Sequence, residues 1–302
     1  MKKLYGVTTA MVTPFTETGE IDQKNLRELT DFLIEKGVNC LYPLGTTGEM
    51  FKLTMEERKV VAETVVKQAN GRVTVFIHVG AMNPNETVEL AKHAHAIHAD
   101  GIGVVTPAFF STSEREQYEY FKAVSESVPE DFPIYVYNIP QCSANDLPVS
   151  VVSQLNKDFK NIIGIKYSFP DFHRVAEYKT INNADFSVVP GADKLFLPGL
   201  SLGCDGVVSG VSCVYPEPFV AVYQAYLDRD MEKAQKLQRF AAKYCEVLRG
   251  GANLSVFKEA LKYRGLSAGD VRGPQLKISD SEIAELYKDL TELEEERKVL
   301  LP

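Results

Sequence analysis

Short apolar runs rich in β-branched residues alternate with amphipathic stretches along most of the chain. The runs at 4–12, 38–44, 73–79, 101–106, 133–137, 162–166, 186–190 and 206–209 have strand length and composition and read as buried strands. Helical stretches fall between or after them, at 23–36, 55–70, 85–99, 113–127, 148–156, 172–182, 194–202 and 217–227. In the first, Leu26, Leu29, Phe32 and Leu33 form one stripe, and Lys36-Gly37 stops it. Before the second, Thr54 and Glu57 have capping-box spacing. Strands alternating with helices predict parallel pairing through right-handed crossovers. Eight such units predict a closed barrel more than an open sheet.

After about residue 228 the strand pattern stops. Stretches 230–250, 254–265 and 279–298 read as three helices. The last is highly charged, with Leu286, Leu290 and Leu293 as its apolar stripe, and reads as a solvated helix packed on the barrel. The expected fold class is α/β, a (β/α)8 TIM barrel over residues 1–228 with a helical extension over 229–302.

The 302 residues are 45% hydrophobic and 25% charged, which suits a globular chain with a sizeable core. A net charge of -8 argues against a nucleic-acid or anionic-membrane partner, but a cationic cleft for a small acid remains open. The five cysteines are odd in number and form no CxxC pair, so reduced thiols and a cytoplasmic location are expected. Residues 1–6 contain no long apolar segment of a secretory leader, and no run of eighteen apolar residues occurs.

In a barrel of this kind, functional groups stand at the carboxyl ends of the strands. The second strand ends in Gly45-Thr46-Thr47-Gly48-Glu49, whose hydroxyls and exposed backbone N–H groups suit a carboxylate or phosphate, or form a plain turn. The fifth carries Tyr135 and Tyr137 on one face, either as a proton shuttle at Tyr137 or as core aromatics. The sixth ends in Lys166, which either reaches water along its stem or sits desolvated as an amine nucleophile. The seventh ends near Asp193 and the eighth at Ser209-Gly210. Together these groups fit covalent carbonyl chemistry: a Schiff base on Lys166, proton relay by Tyr137 and a carboxylate held by Thr46 and Thr47.

No metal is expected. His93, His95 and His98 share one helical stretch but none stands at i, i+4 spacing. His78 lies inside an apolar strand and reads as a satisfied core histidine, and His173 as an exposed loop residue.

Gly45-Thr46-Thr47-Gly48-Glu49, Tyr137-Asn138-Ile139-Pro140 and Gly164-Ile165-Lys166 resemble the three signature blocks of the dihydrodipicolinate synthase/N-acetylneuraminate lyase family. Thr13-Pro14-Phe15 and Thr106-Pro107 match in order and spacing, and the resemblance spans essentially the whole chain. It implies a class I aldolase or lyase acting on pyruvate or a related 2-oxo acid and an aldehyde, with no cofactor, in a homotetramer built from dimers. It also implies that Lys166, Tyr137 and Thr46 are catalytic, and that Thr46, Thr47, Ser168, Asp193, Ser209 and Gly210 contact substrate.

Departures bear on the reaction. Synthases carry an arginine after the Tyr-Asn-x-Pro block, where this chain has Gln141-Cys142-Ser143-Ala144. They also carry a tyrosine pair after Thr-Pro, one of which enters the neighbouring subunit's proton relay; here Ala108-Phe109-Phe110 offers no hydroxyl. Sialic-acid lyases share an aspartate where Asp193 stands, but follow it with a glutamate where this chain has Lys194, and have a threonine in place of Ser168. Lys194 either favours an acidic acceptor or a sugar acid, or points to solvent. The expected function is cleavage or formation of a 2-oxo-3-deoxy sugar acid or an N-acetylneuraminate-like compound. The alternatives are a dihydrodipicolinate synthase with an atypical aldehyde site and a non-catalytic 2-oxo-acid sensor.

Overall fold

The computed structural model describes residues 1–251 and 253–301. Eight strands form the barrel: β1 (Gly6–Ala10), β2 (Cys40–Tyr42), β3 (Thr74–His78), β4 (Gly101–Val105), β5 (Ile134–Asn138), β6 (Ile162–Tyr167), β7 (Ser187–Pro190) and β8 (Gly206–Ser209). They run parallel in the order β7-β6-β5-β4-β3-β2-β1-β8. Around them lie α1 (Gln23–Glu35), α2 (Met55–Ala69), α3 (Pro84–Ala96), α4 (Glu114–Ser125), α5 (Pro140–Ser143), α6 (Val149–Asp158), α7 (Phe172–Tyr178), α8 (Phe196–Ser201) and α9 (Pro216–Leu227). Three further helices follow: α10 (Met231–Val247), α11 (Leu254–Tyr263) and α12 (Asp280–Leu300). This is the TIM barrel with a helical C-terminal segment that the alternating pattern predicts.

The strands show why the runs read as buried. Successive side chains point to opposite faces. Leu41, Ile102, Val136 and Ile165 face outward into the apolar layer under the helices. Leu4, Cys40, Tyr42, Phe76, Tyr135 and Val208 fill the lumen instead. The Tyr135 hydroxyl closes the floor, donating to Ser187 Oγ (2.6 Å) and accepting from the Leu4 N–H (3.1 Å).

The ring closes through a side chain between β7 and β8. Asp205 Oδ2 accepts from the Val188 N–H (3.2 Å) and the Ser187 hydroxyl (2.9 Å), while the Asp205 N–H donates to Val188 O (3.1 Å).

Helix starts follow their caps. Thr54 and Glu57 form the expected reciprocal capping box, and Ser113–Glu116 and Ser279–Glu282 repeat it. Each such cap contributes about 1 kcal/mol. Leu286, Leu290 and Leu293 of α12 are buried against the same apolar layer as Leu237 and Phe240 of α10 and Phe257 of α11.

Most boundaries shift by a few residues from the sequence reading, and three differences are larger. Helix 172–182 stops at Tyr178, where the Thr180 N–H bonds back only three residues to Glu177 O (3.0 Å), and the left-handed backbone of Asn182 and Asn183 keeps the helix from resuming. The 194–202 stretch opens with a 3-10 turn at Asp193–Leu195 before α8 begins. The four-residue α5, opened by Pro140 at its first turn, carries no apolar period and went unread.

Candidate active site

The mouth is built from strand ends. Tyr137 and Lys166 are paired neighbours across β5 and β6, and both side chains turn into the lumen. Lys166 is buried, with its Nζ 3.9 Å from the centroid of the Tyr137 ring and 4.8 Å from that of Tyr42. The Tyr137 hydroxyl lies 3.4 Å from Thr46 Oγ1, a long hydrogen bond that joins the lysine's wall to the β2 turn.

That turn has a defined geometry. Leu44 enters it and Glu49 leaves it in left-handed backbone, and the Glu49 N–H donates to Thr46 O (3.1 Å). Gly48 packs so closely that a Cβ would stand 2.8 Å from the Leu44 nitrogen, so only glycine fits. Thr13 Oγ1, from the β1 loop, donates to Gly48 O (2.8 Å). Thr46 and Thr47 remain half-buried at the mouth. Gly210 faces Thr47, since a Cβ there would lie 3.3 Å from Thr47 Oγ1.

Asp193 joins from the far side of the ring. Its Oδ1 is buried without a hydrogen-bond partner. Desolvation pushes its carboxyl up to about 6, against the opposing pull of the Ser209 hydroxyl and the Lys166 ammonium. Lys166, Tyr137, Thr46, Asp193 and Ser209 therefore share one mouth, with Thr47 and Gly210 on its rim. Ser168 sits one step out, its hydroxyl packed against Gly191 and its carbonyl taking a hydrogen bond from Gln141 Nε2 (2.6 Å).

A sequence model of the dihydrodipicolinate synthetase family matches residues 3–293. The chain belongs to that family. Like the dihydrodipicolinate synthetase family members it resembles, it is a lyase of the class I aldolase type. A 4-hydroxy-tetrahydrodipicolinate synthase of Methanothrix thermoacetophila is 35% identical over 291 residues, covering 95% of this chain and 96% of the relative. The structure of YagE, a prophage protein from E. coli K12 of the dihydrodipicolinic acid synthase family in complex with pyruvate, superposes with a TM-score of 0.91 at 31% identity, covering 97% of this chain and 99% of that one. A Ruminococcus gnavus sialic acid aldolase, a catalytic lysine mutant, superposes with a TM-score of 0.91 at 27% identity, covering 98% and 99%.

Other predicted positions fall outside the mouth of this family member. Lys194 pairs on the surface with Glu246 of α10 (3.1 Å). Phe109, with φ of 74°, and Phe110 stand exposed, in edge-to-face contact at 5.0 Å. His78 is buried with its Nδ1 2.9 Å from Leu44 O and its Nε2 accepting from the Val105 N–H (3.3 Å). Burial and the cations of Arg58 and Lys166 push its pKa well down, so it stays neutral. His93 pairs with Glu63, and His173 lies exposed beside Glu177. Among the described residues, no cluster of three or more His, Cys, Asp or Glu side chains could hold a metal ion. No described helix is long and apolar enough to cross a membrane.

Sequence reading missed Tyr42, the second ring beside Lys166. The signal was available: Cys40 and Tyr42 are two residues apart in a strand and so share the inward face. Gly103 on β4 makes room for it, because a Cβ there would overlap the Tyr42 hydroxyl.

Proposed function

We propose that this chain is a pyruvate-dependent class I aldolase that cleaves or forms a 2-oxo-3-deoxy sugar acid or a similar compound. The observation that carries the reading is Lys166 Nζ against the Tyr137 ring, with the Tyr137 hydroxyl leading to Thr46. Lys166 adds as an amine to the C2 carbonyl of the 2-oxo acid, and water leaves to give an imine. The C3 proton departs to give an enamine, which adds to the aldehyde carbon; cleavage is the reverse. Tyr137 passes protons between the reacting oxygen and Thr46. Thr46 and Thr47 hold the carboxylate, with the backbone of Gly210 beside it. Asp193 and Ser209 face the incoming aldehyde's hydroxyls, and Ser168 borders that region. No metal or bound cofactor enters the scheme.

Acceptor choice follows from the charge at the mouth. An aldehyde with its own carboxylate needs a cation, and a bidentate arginine suits it best. The 141–144 segment has none, and the Gln141 amide is committed to Ser168 O. Lys194 is committed to Glu246. A neutral, hydroxyl-rich aldehyde meets Asp193 and Ser209 better. The second reading, a 4-hydroxy-tetrahydrodipicolinate synthase with an atypical aldehyde site, is favoured by the identity to the Methanothrix enzyme. A 2-oxo-acid sensor has no need of an amine nucleophile.

Phe51, Met82 and the Phe109–Phe110 pair are large exposed apolar residues on the loops after β2, β3 and β4. Apolar groups gathered on neighbouring loops suit a protein partner, here a second copy of the chain in a dimer that pairs into a tetramer. The free thiols, four of them buried, suit a reducing cytoplasm.

Borohydride with pyruvate is expected to trap one adduct, on Lys166; an adduct on a different lysine overturns the mechanism. Pyruvate is then offered with aspartate semialdehyde and with neutral sugar-like aldehydes, and product masses and kcat/KM are compared. The neutral aldehydes are expected to rank higher. Clear preference for aspartate semialdehyde selects the second reading.

A further inference from the structure

The C-terminal segment reaches under the threonine turn. Glu49, the last residue of that turn, is buried, with its side chain wholly shielded. Its Oε1 lies 2.9 Å from Lys258 Nζ of α11. Its Oε2 lies 2.9 Å from Lys52 Nζ and accepts from the Arg272 N–H at 3.1 Å. Two of these three partners come from beyond the barrel. Lys258 has two further contacts: it donates to Asp270 O (2.8 Å) and lies over the Phe15 ring at 4.1 Å.

Glu49 holds left-handed backbone with φ of 60°. For a residue with a Cβ that conformation is unfavourable and persists only where its surroundings fix it. The buried ion pair fixes it here. The same residue's N–H closes the turn on Thr46 O. Phe257, the neighbour of Lys258 on α11, meets the other side of the pocket: a Cβ on Gly210 would lie 3.3 Å from both the Phe257 ring and Thr47 Oγ1. One turn of α11 thus braces both the floor and the wall of the Thr47–Gly210 pocket.

We propose that Lys258 is a positioning residue for the 2-oxo acid's carboxylate, acting through Glu49 on the Thr46–Thr47 turn. This rests on the reading that the turn binds that carboxylate. The carboxylate is held alike in ground state and transition state, so a loosened turn raises KM; Thr46 also meets the Tyr137 hydroxyl, so kcat falls as well, by less than KM rises. A general loss of structure would lower the active fraction and kcat instead.

The test is equilibrium formation of the pyruvate adduct, titrated by borohydride trapping at Lys166, with full kinetics and Tm alongside. Lys258→Met removes the ammonium and keeps the length of the stem. Half-saturating pyruvate is expected to rise about 10- to 100-fold, the scale of a small misplacement from a distant change, with a smaller fall in kcat. Glu49→Gln is expected to do the same, and the double variant no more than either single one, because the two act as a unit. Lys258→Arg keeps the charge, and the cavity of about 690 Å³ lined by Phe15, Lys258, Asp270 and Arg272 has space for its larger head. It is expected to recover most of the pyruvate affinity, and it supplies the measurement if the methionine variant is too unstable to purify, because a Lys258→Arg protein that binds pyruvate no better than Glu49→Gln overturns the proposal. Unchanged half-saturation in Lys258→Met, or additive effects in the double variant, also overturns it. Thr47→Ala separates the two levels. If Thr47→Ala weakens pyruvate binding and Lys258→Met does not, only the relay falls. If neither does, the carboxylate reading falls with it.

Discussion

Two buried lysines lie close to the same turn and are treated in opposite ways. Lys166 and Lys258 are 4% and 3% exposed. Lys258 has a carboxylate at 2.9 Å and a backbone carbonyl at 2.8 Å. Lys166 is met by two aromatic faces, and among the described residues no carboxylate oxygen comes within ion-pairing distance of it. Ring faces attract an ammonium but offer no lone pair that locks it in place. The ion pair fixes the Lys258 ammonium in place, although burial pulls its pKa down to about 8 against the Glu49 charge, whereas an amine met only by ring faces can approach a carbonyl. Burial alone does not mark a nucleophile; the partner set does.

The contrast is broken most directly by exchanging the roles. Lys166→Ala is expected to lower kcat by on the order of 10⁴-fold or more, as loss of a covalent nucleophile does, and to abolish borohydride labelling. Residual labelling on Lys258 would show that the ion pair does not silence it. Next in size is Tyr137→Phe, which keeps the ring beside Lys166 and removes only the hydroxyl. General acid–base help is worth about 10²–10⁴-fold, and a loss in that range is expected in kcat with normal trapping of the pyruvate adduct. A Tyr137→Phe enzyme with full turnover would reduce the tyrosine to packing.

A smaller effect is expected from Asp193. With its carboxyl pushed up to about 6, it becomes a charged acceptor for substrate hydroxyls, stronger than the neutral acid, as pH rises through that value. Half-saturation by a hydroxyl-rich aldehyde should improve across that window. In Asp193→Asn the improvement should vanish, which a pH series of KM values reads directly.

The least effect concerns the rim of the Lys258 region. Arg272 holds Glu57 down to about 2 from 4.5. A carboxyl with a depressed folded pKa contributes stability that is present above its unfolded value and lost as pH falls towards the folded one. Glu57→Gln keeps the capping box but loses the pair. Its Tm should lie about 1–3 °C below the parent at pH 7, the scale of a solvent-screened ion pair. The gap should close as the acid limb is entered. A constant gap at all pH values would assign the effect to packing.

The barrel was legible because each buried strand needs its own β-branched run and each helix its own stripe, so local pattern and global fold agree. The strand-end groups Lys166, Tyr137, Thr46 and Asp193 were legible for the same reason: the fold dictates where strand ends meet. Their roles in the reaction still await the experiments above. What stayed hidden were pairings between distant stretches. Nothing in the 254–265 pattern marks Lys258 as the partner of Glu49, because a lysine on an amphipathic helix ordinarily reads as solvated. Tyr42 shares the inward face with Cys40, but alternation alone does not say that it meets Lys166 across the barrel. Asn182 and Asn183, in left-handed backbone that asparagine tolerates, keep the helix from resuming after Tyr178, where periodicity alone extends it.

The Asp205 clasp carries a consequence for how the ring is assembled. The gap in the ladder lies between β7 and β8, not between the first and last strands, which are joined in register from Gly6–Gly206 to Thr9–Ser209. That β1–β8 zipper spans nearly the whole barrel in sequence, and its loop-closure entropy is met only when the intervening units are in place. The ring is therefore completed by its longest-range ladder, and the neighbouring joint is left to one residue, Asp205, through its carboxylate and its N–H. A chain rejoined at its natural ends and opened between β7 and β8 would begin and end at a joint that has no full ladder to lose.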